Sequence, residues 1–256
     1  MSLDITPDLM ARIVSIAEKA GGKIMEIYGT DFEVAAKADA SPVTEADRIA
    51  DALIVAAIKD TVTSEFPVVS EEAFSDGDIP DVSGTPFWLV DPLDGTKEFI
   101  SRNGEFTVNI ALIDDGEPTI GVVHVPALGQ TYWASRLGAF AKVSGQTRPI
   151  QCRPPGAEGL VALVSRSHRS AEVDGYLAQF TVKDEISAGS SLKFCRLAEG
   201  AADIYPRLGR TMEWDTAAGH AVVLYAGGRV EDMNGAALGY GKPGFENPHF
   251  VAKGSF

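Results

Sequence analysis

The sequence predicts a layered α/β protein of the mixed α+β kind, divided near residue 150. Three observations predict it: apolar residues at helical spacing over the first sixty positions, short β-branched runs with turn signals between 66 and 143, and alternating strand-like and helix-like segments beyond 160.

From Pro7 to Gly29, the residues Leu9, Ile13, Ile16, Ala17, Ala20, Ile24 and Ile27 fall on one side of a helix that Gly29 should stop. A second helix starts after Thr44 as N-cap and carries Ile49, Leu53, Ile54, Ala57 and Ile58. Phe66 to Ser70 and Phe87 to Val90 read as short strands. Thr107 to Ile113 and Thr119 to Val125 form a hairpin through the Asp-Gly of DDGEP, and Thr131 to Ala134 with Ala139 to Val143 continue the meander. The Pro- and Gly-rich stretch from Arg148 to Gly159 breaks this pattern, so a boundary is placed there, giving domains 1–150 and 151–256. Beyond it the expected order is strand 161–165, helix 171–180, strand 182–186, helix 191–199, strand 203–205 and helix 216–225, a parallel or mixed sheet covered by helices.

Composition narrows function. The 256 residues are 45% apolar and 23% charged, and no apolar run approaches the roughly 20 residues that span a bilayer. The N-terminal MSLDITPDLMARI lacks a basic start and a continuous apolar core, so a cytoplasmic location is expected. A formal charge of −14 disfavours nucleic-acid polymers as partners, because such binding needs clustered Lys and Arg. Cys152 and Cys195 lie far apart in sequence without a neighbouring Cys or His at metal-ligand spacing and read as free thiols. A small phosphorylated ligand would need help from metal ions, helix N-termini or a few placed cations.

The segment WLVDPLDGTKEF supplies such a place. Pro92 disfavours helical dihedrals at Asp91, so Asp91 and Asp94 should lie on an extended-to-turn segment where both carboxylates can face one space. Paired carboxylates repel unless a proton or cation lies between them, and hard oxygen ligands suit Mg²⁺, Mn²⁺ or Ca²⁺. The alternative is a pair of turn aspartates bonding their own backbone. Gly95 lets a ligand approach the chain, and Thr96 adds a hydroxyl and an N–H at a helix start, where phosphate is favoured. Glu71 and Glu72 stand just past a strand end and could join the site or be a solvated pair. Asp47 could belong only to a capping box with Thr44, and Asp215 could be only an N-cap.

Taken together, Asp47, Ser70-Glu71-Glu72, Asp91-Pro-Leu-Asp94-Gly-Thr96 and Trp214-Asp215-x-Ala-Ala resemble the inositol monophosphatase and fructose bisphosphatase superfamily of metal-dependent, lithium-sensitive phosphatases. The resemblance implies a layered α-β-α-β-α sugar phosphatase fold, with an N-terminal metal-binding, water-activating domain and a C-terminal α/β substrate-binding domain. It also implies that Glu71, Asp91, Asp94, the Leu93 carbonyl and Asp215 hold two or three Mg²⁺ ions. Asp47 and Thr96, assisted by Glu71, would activate water, and the Gly95 and Thr96 amides would hold phosphate.

Within the superfamily, DGTKEF followed by RNGEFTVNI resembles the bacterial 3'(2'),5'-bisphosphate nucleotidases, as do Ser165-Arg-Ser-His168, the run from Gly189 to Cys195, and Ala202 to Arg207. The resemblance implies nucleotide contacts at His168, Ser190, Lys193, Arg207 and Asp215, and hydrolysis of adenosine 3',5'-bisphosphate in support of sulfate assimilation. Lys193 and Arg207 also read independently as a cationic clamp away from the metals, since isolated cations on apolar segments invite a phosphate. Lys97 and Arg102 could guide phosphate or only balance charge. Glu213 sits where inositol monophosphatases can carry a sugar-contacting Glu, which keeps an inositol phosphatase as the rival, and a non-catalytic cation-binding protein stands third. The subfamily allows peripheral membrane association, but no basic amphipathic stretch supports it.

Overall fold

The computed structural model describes residues 3–36, 42–166 and 170–256. Helix α1 (Pro7–Tyr28) opens on Thr6, whose hydroxyl accepts from the Leu9 amide, and Pro7 costs nothing at its first turn. Strands β1 (Val34–Ala36) and β2 (Pro42–Thr44) pair antiparallel before α2 (Glu45–Thr61). Strand β3 (Val68–Ser70) runs directly into the short helix α3 (Glu71–Ser75). Strand β4 (Phe87–Asp94) is followed by the one-turn helix α4 (Thr96–Ile100).

The meander is β5 (Thr107–Asp114), β6 (Glu117–Val125), β7 (Gln130–Ser135), β8 (Gly138–Val143) and β9 (Gln146–Pro149). Asp115 and Gly116 both take positive φ, 52° and 76°, as a tight two-residue hairpin requires. With β3 and β4 these strands form one sheet in sequence order, antiparallel except at β3–β4. The second half contributes β10 (Leu160–Ser165), α5 (Ala171–Leu177), β11 (Val182–Ala188), α6 (Leu192–Ala198), β12 (Ile204–Arg207), α7 (Glu213–Tyr225), β13 (Arg229–Asp232) and β14 (Phe250–Lys253). Its sheet has the order β11-β10-β12-β14-β13, parallel through the first three strands and antiparallel at β14.

Side-chain alternation along the strands sorts these elements into five layers. Trp88 and Val90 of β4 point to one face, where they pack with Ile13, Ile24, Ile54 and Ile58 of α1 and α2. Leu89 points to the other face, into a core shared by Phe194 of α6, Val222 of α7 and Phe250 of the second sheet. The far face of that second sheet buries Ala162, Ile204 and Val251 against Val173 and Leu177 of α5. The order is α-β-α-β-α. Close packing of α7 on β6 depends on Gly121, where a Cβ would stand 2.4 Å from the Ala218 carbonyl oxygen.

Several boundaries differ from expectation. Strand β4 extends four residues beyond Val90, because its ladder with β5 shifts register between Asp91 and Asp94 and then resumes. Helix α7 starts at Glu213 rather than Thr216, since the buried Trp214 belongs to its first turn. Strands β1, β2, β9, β13 and β14 escaped the sequence reading; β9 is exposed throughout and lacks an apolar face to announce it.

Candidate active site

The acidic loop forms where β4 ends. Asp91 and Asp94 pair in the ladder with Asn109 and Thr107, and the register shift places Pro92 and Leu93 between them. The Leu93 amide donates to Asp91 Oδ1 at 3.0 Å, so the turn-aspartate reading holds for that oxygen. Gly95 at φ 90° and ψ 47° then reverses the chain into α4. Thr96 is thereby returned toward Leu93, its hydroxyl 3.5 Å from the Leu93 carbonyl oxygen.

Asp47 serves two structures at once. Its Oδ2 accepts from the Thr44 amide at 2.8 Å and the Thr44 hydroxyl at 2.7 Å, completing the capping box of α2. Its Oδ1 accepts from the Thr96 hydroxyl at 3.3 Å. The cap reading is therefore correct but incomplete, because the second oxygen reaches the acidic loop.

A cleft of about 310 Å³ opens beside this loop, lined by Asp94 to Glu98 on one side and by Ser165, Ser190, Ser191, Lys193, Tyr205, Arg207 and Asp215 on the other. Burial pushes the Asp94 carboxyl up to about 6, with Glu98 and Glu71 adding repulsion and Lys193 opposing it. Burial also pushes Asp215 well above the usual carboxylate range, and Asp94 and Glu71 push it further. Three carboxylates from α3, β4 and α7 thus repel one another. Asp215 is not an N-cap: it lies in the first turn of α7 and accepts from the Met212 amide at 2.9 Å.

Lys193 is almost fully buried and donates to the carbonyls of Ala188 at 3.1 Å and Ser190 at 2.7 Å. Burial pushes its ammonium down to about 8 although Asp94 attracts it. It therefore stands beside the acidic group, not away from it as expected. Ser190 precedes the cap of α6 at φ 43°, and its hydroxyl donates to the Glu105 carbonyl, so Ser191 rather than Ser190 opens the helix. Arg207 donates at 3.4 Å to the Arg210 carbonyl, and its buried Nε has no hydrogen-bond partner among the described residues. His168 lies outside the described residues.

Other candidates leave the site. Arg102 turns back to the carbonyls of Tyr28 and Thr30 and covers the Phe32 ring at 5.2 Å, so it ties α1 to α4 and does not guide a ligand. Glu213 is fully buried and accepts from the amides of Gly241 at 2.7 Å and Lys242 at 2.9 Å, with the Lys242 ammonium at 2.7 Å. It clasps the 241–242 turn and is not part of the cleft lining. Phe74, in α3, packs on Trp214 at 5.0 Å between ring centroids. Glu98, Arg210, Thr211 and Thr216 line the cleft without having been singled out; Glu98 stands inside the DGTKEF motif, which was its available signal.

Among the described residues no three His, Cys, Asp or Glu side chains are gathered into a ready-made metal cage. The donor set nevertheless fits Mg²⁺, an ion that keeps several waters and takes one or two carboxylates together with substrate phosphate. All the candidate ligands are oxygens, and the raised carboxyls of Asp94 and Asp215 are groups a divalent cation would relieve.

A sequence model of the inositol monophosphatase family matches residues 8–253, and the chain belongs to that family. Its enzymes generally depend on Mg²⁺. The chain is 46% identical over 248 residues to the 3'(2'),5'-bisphosphate nucleotidase CysQ of Escherichia coli strain K12, covering 94% of this chain and 98% of that protein. The crystal structure of CysQ from Bacteroides thetaiotaomicron, a bacterial member of the inositol monophosphatase family, superposes with a TM-score of 0.81 at 38% identity over 99% of both chains. An inositol monophosphatase of Thermotoga maritima superposes with a TM-score of 0.79 at 26% identity, covering 97% of this chain and 92% of that one. No helix among the described residues is long and apolar enough to cross a membrane.

Proposed function

We propose that this chain is a Mg²⁺-dependent phosphomonoesterase that hydrolyses adenosine 3',5'-bisphosphate to AMP and phosphate, and that also accepts the 3'-phosphorylated adenylyl sulfate. The observation that carries the reading is one cleft whose lining holds both the Asp94-Gly95-Thr96 turn and the cations Lys193, Arg207 and Arg210. A substrate with two phosphates needs both the turn and the cations; an inositol monophosphate needs only the turn. Similarity to the CysQ nucleotidases supports the same choice. Glu213, the residue that favoured inositol, is occupied with the 241–242 turn.

Glu71, Asp91, Asp94, Asp215 and the Leu93 carbonyl would hold two or three Mg²⁺ ions. When bound, Mg²⁺ supplies Lewis-acid charge for the phosphate oxygens and lowers the pKa of a coordinated water. The chain's own part begins at Thr96. Its single hydroxyl proton is directed to Asp47 Oδ1, which leaves the Oγ lone pairs to accept from the attacking water. Asp47, through the Thr96 hydroxyl and with Glu71 assisting, takes the proton that the attacking water gives up. The Gly95 and Thr96 amides orient the scissile phosphate, the water oxygen bonds to phosphorus as the P–O bond to the ribose 3' oxygen breaks, that oxygen takes up a proton from solvent to become the 3' hydroxyl, and the guanidinium of Arg207 receives the second phosphate. Removal of this by-product would support sulfate assimilation. Two buried free thiols, Cys152 and Cys195, suit a reducing cytoplasm.

The test is phosphate release with Mg²⁺ from adenosine 3',5'-bisphosphate and inositol 1-phosphate side by side, each repeated with lithium. Strong preference for the nucleotide with lithium inhibition is expected. Preference for inositol 1-phosphate would overturn the substrate reading, and silence on both would overturn the enzymatic one.

A further inference from the structure

Three buried polar side chains beneath the acidic loop have no part in the reading above: Thr107, Asn109 and Ser191. Thr107 and Asn109 are alternate residues of β5, so they project from the same face of the sheet, opposite Asp94 and Asp91 in the ladder. Ser191 arrives from the second half of the chain, at the cap of α6.

Their bonds converge on one oxygen. Asp94 Oδ2 accepts from the Ser191 amide at 2.6 Å and from Asn109 Nδ2 at 3.4 Å, with the Thr107 hydroxyl oxygen 3.3 Å away. The protons can be assigned. An ionised carboxylate only accepts, so Asn109 must present Nδ2 to Asp94 and Oδ1 to Ser191. The Ser191 hydroxyl therefore donates to Asn109 Oδ1, at 2.6 Å, and accepts from Thr107 Oγ1 at 2.7 Å. Each group in the chain fixes the next, and together they leave Asp94 Oδ1 for the cleft.

We infer that Thr107, Asn109 and Ser191 are positioning residues that aim the Asp94 carboxylate, so that its cation affinity depends on the docking of the 188–193 segment against β5. The segment is held for this purpose at two further points: the Gly189 amide donates to Glu105 Oε2 at 2.8 Å, and Lys193 closes the turn through its bonds to Ala188 and Ser190. The substrate wall and the cation wall of the cleft are thus one connected unit. The inference rests on the reading of Asp94 as a cation ligand.

Mn²⁺ alone, added to the full chain and followed by the electron paramagnetic resonance signal of the free ion, tests both without turnover. Asn109→Ala and Ser191→Ala are each expected to weaken Mn²⁺ binding about 10-fold, in the range typical of residues that orient metal ligands. The double variant should be no worse than the poorer single one, because both cut one chain of bonds. Ser191→Ala keeps the amide bond to Asp94 and serves if Asn109→Ala does not fold. Unchanged Mn²⁺ affinity in these variants, with Asp94→Asn still abolishing binding, would overturn the inference and leave the cation reading intact, even if melting temperatures fell. Unchanged affinity in Asp94→Asn would overturn the cation reading itself.

Discussion

Asp47 and Thr96, 49 residues apart in sequence, meet at 3.3 Å, Thr96 Oγ1 donating to Asp47 Oδ1 while the other Asp47 oxygen caps α2. A carboxylate fixed by its own helix start is a rigid acceptor, and it dictates where the Thr96 proton points. Thr96→Ala should lower kcat by about 100-fold or more, the range for loss of a positioned proton acceptor, with little change in KM. A rise confined to KM, measured by steady-state phosphate release, would reduce Thr96 to a phosphate contact.

Arg207 carries a buried Nε without a hydrogen-bond partner among the described residues and lines the cleft together with Asp215. A planar guanidinium in this setting suits a bidentate anion. Arg207→Ala should cost about 10–100-fold in kcat/KM for adenosine 3',5'-bisphosphate, the worth of a charge-assisted pair, and far less for inositol 1-phosphate. Equal damage to both substrates would remove Arg207 from the nucleotide clamp.

How much of this was legible follows from where each signal lies. The helices and most strands could be read from apolar periodicity and turn signals, whereas the five-layer order came with the family resemblance, because a strand such as Trp88-Leu89-Val90 is apolar on both faces and does not say which neighbour covers which. The acidic loop was legible because DPLDGT places chemistry and turn residues within six positions. Glu98 and Asn109 were not, since each looks like an ordinary polar residue until the ladder and the second half of the chain bring partners to it. Glu213 misled for the converse reason: a Glu beside Trp-Asp says nothing about the 241–242 turn that captures it.

That turn gives the third prediction. Glu213 is fully buried and holds two amides and the Lys242 ammonium. Glu213→Ala strands them, and breaking a buried pair of this kind costs about 3 kcal/mol. A markedly lower denaturation midpoint with unchanged preference between nucleotide and inositol phosphates is expected; a shifted preference would restore Glu213 to the substrate site.

His220 lies buried in α7, its Nδ1 2.9 Å from the Tyr240 hydroxyl, and burial pushes its pKa down to about 3. Its folded value is thus below the ordinary 6.5. The unfolded chain takes up a proton near pH 6.5 that the folded chain refuses, so stability is fully present above 6.5 and is lost as pH falls toward 3. At pH 5 the loss from this group is about 2 kcal/mol. Denaturant melts from pH 7.5 to 5 should show it, and His220→Gln should flatten that part of the slope. An identical slope in the variant would assign the acid sensitivity elsewhere.

Gly95 joins backbone geometry to the chemistry. It holds φ 90°, where an L side chain is strained, and a Cβ there would lie 2.7 Å from Ser190 Oγ and 3.1 Å from Glu98 Oε2. Ser190 cannot yield freely, because its hydroxyl is bound to the Glu105 carbonyl and its own φ is already 43°. Gly95→Ala should therefore cost about 1–2 kcal/mol in stability from backbone strain and also push the Ser190 segment away from the acidic turn. Activity should fall further than stability does, with KM for adenosine 3',5'-bisphosphate raised because the two walls of the cleft no longer meet the substrate together. Thermal melts and steady-state rates on the same preparation decide it: a stability loss with normal KM would mean that the walls adjust independently.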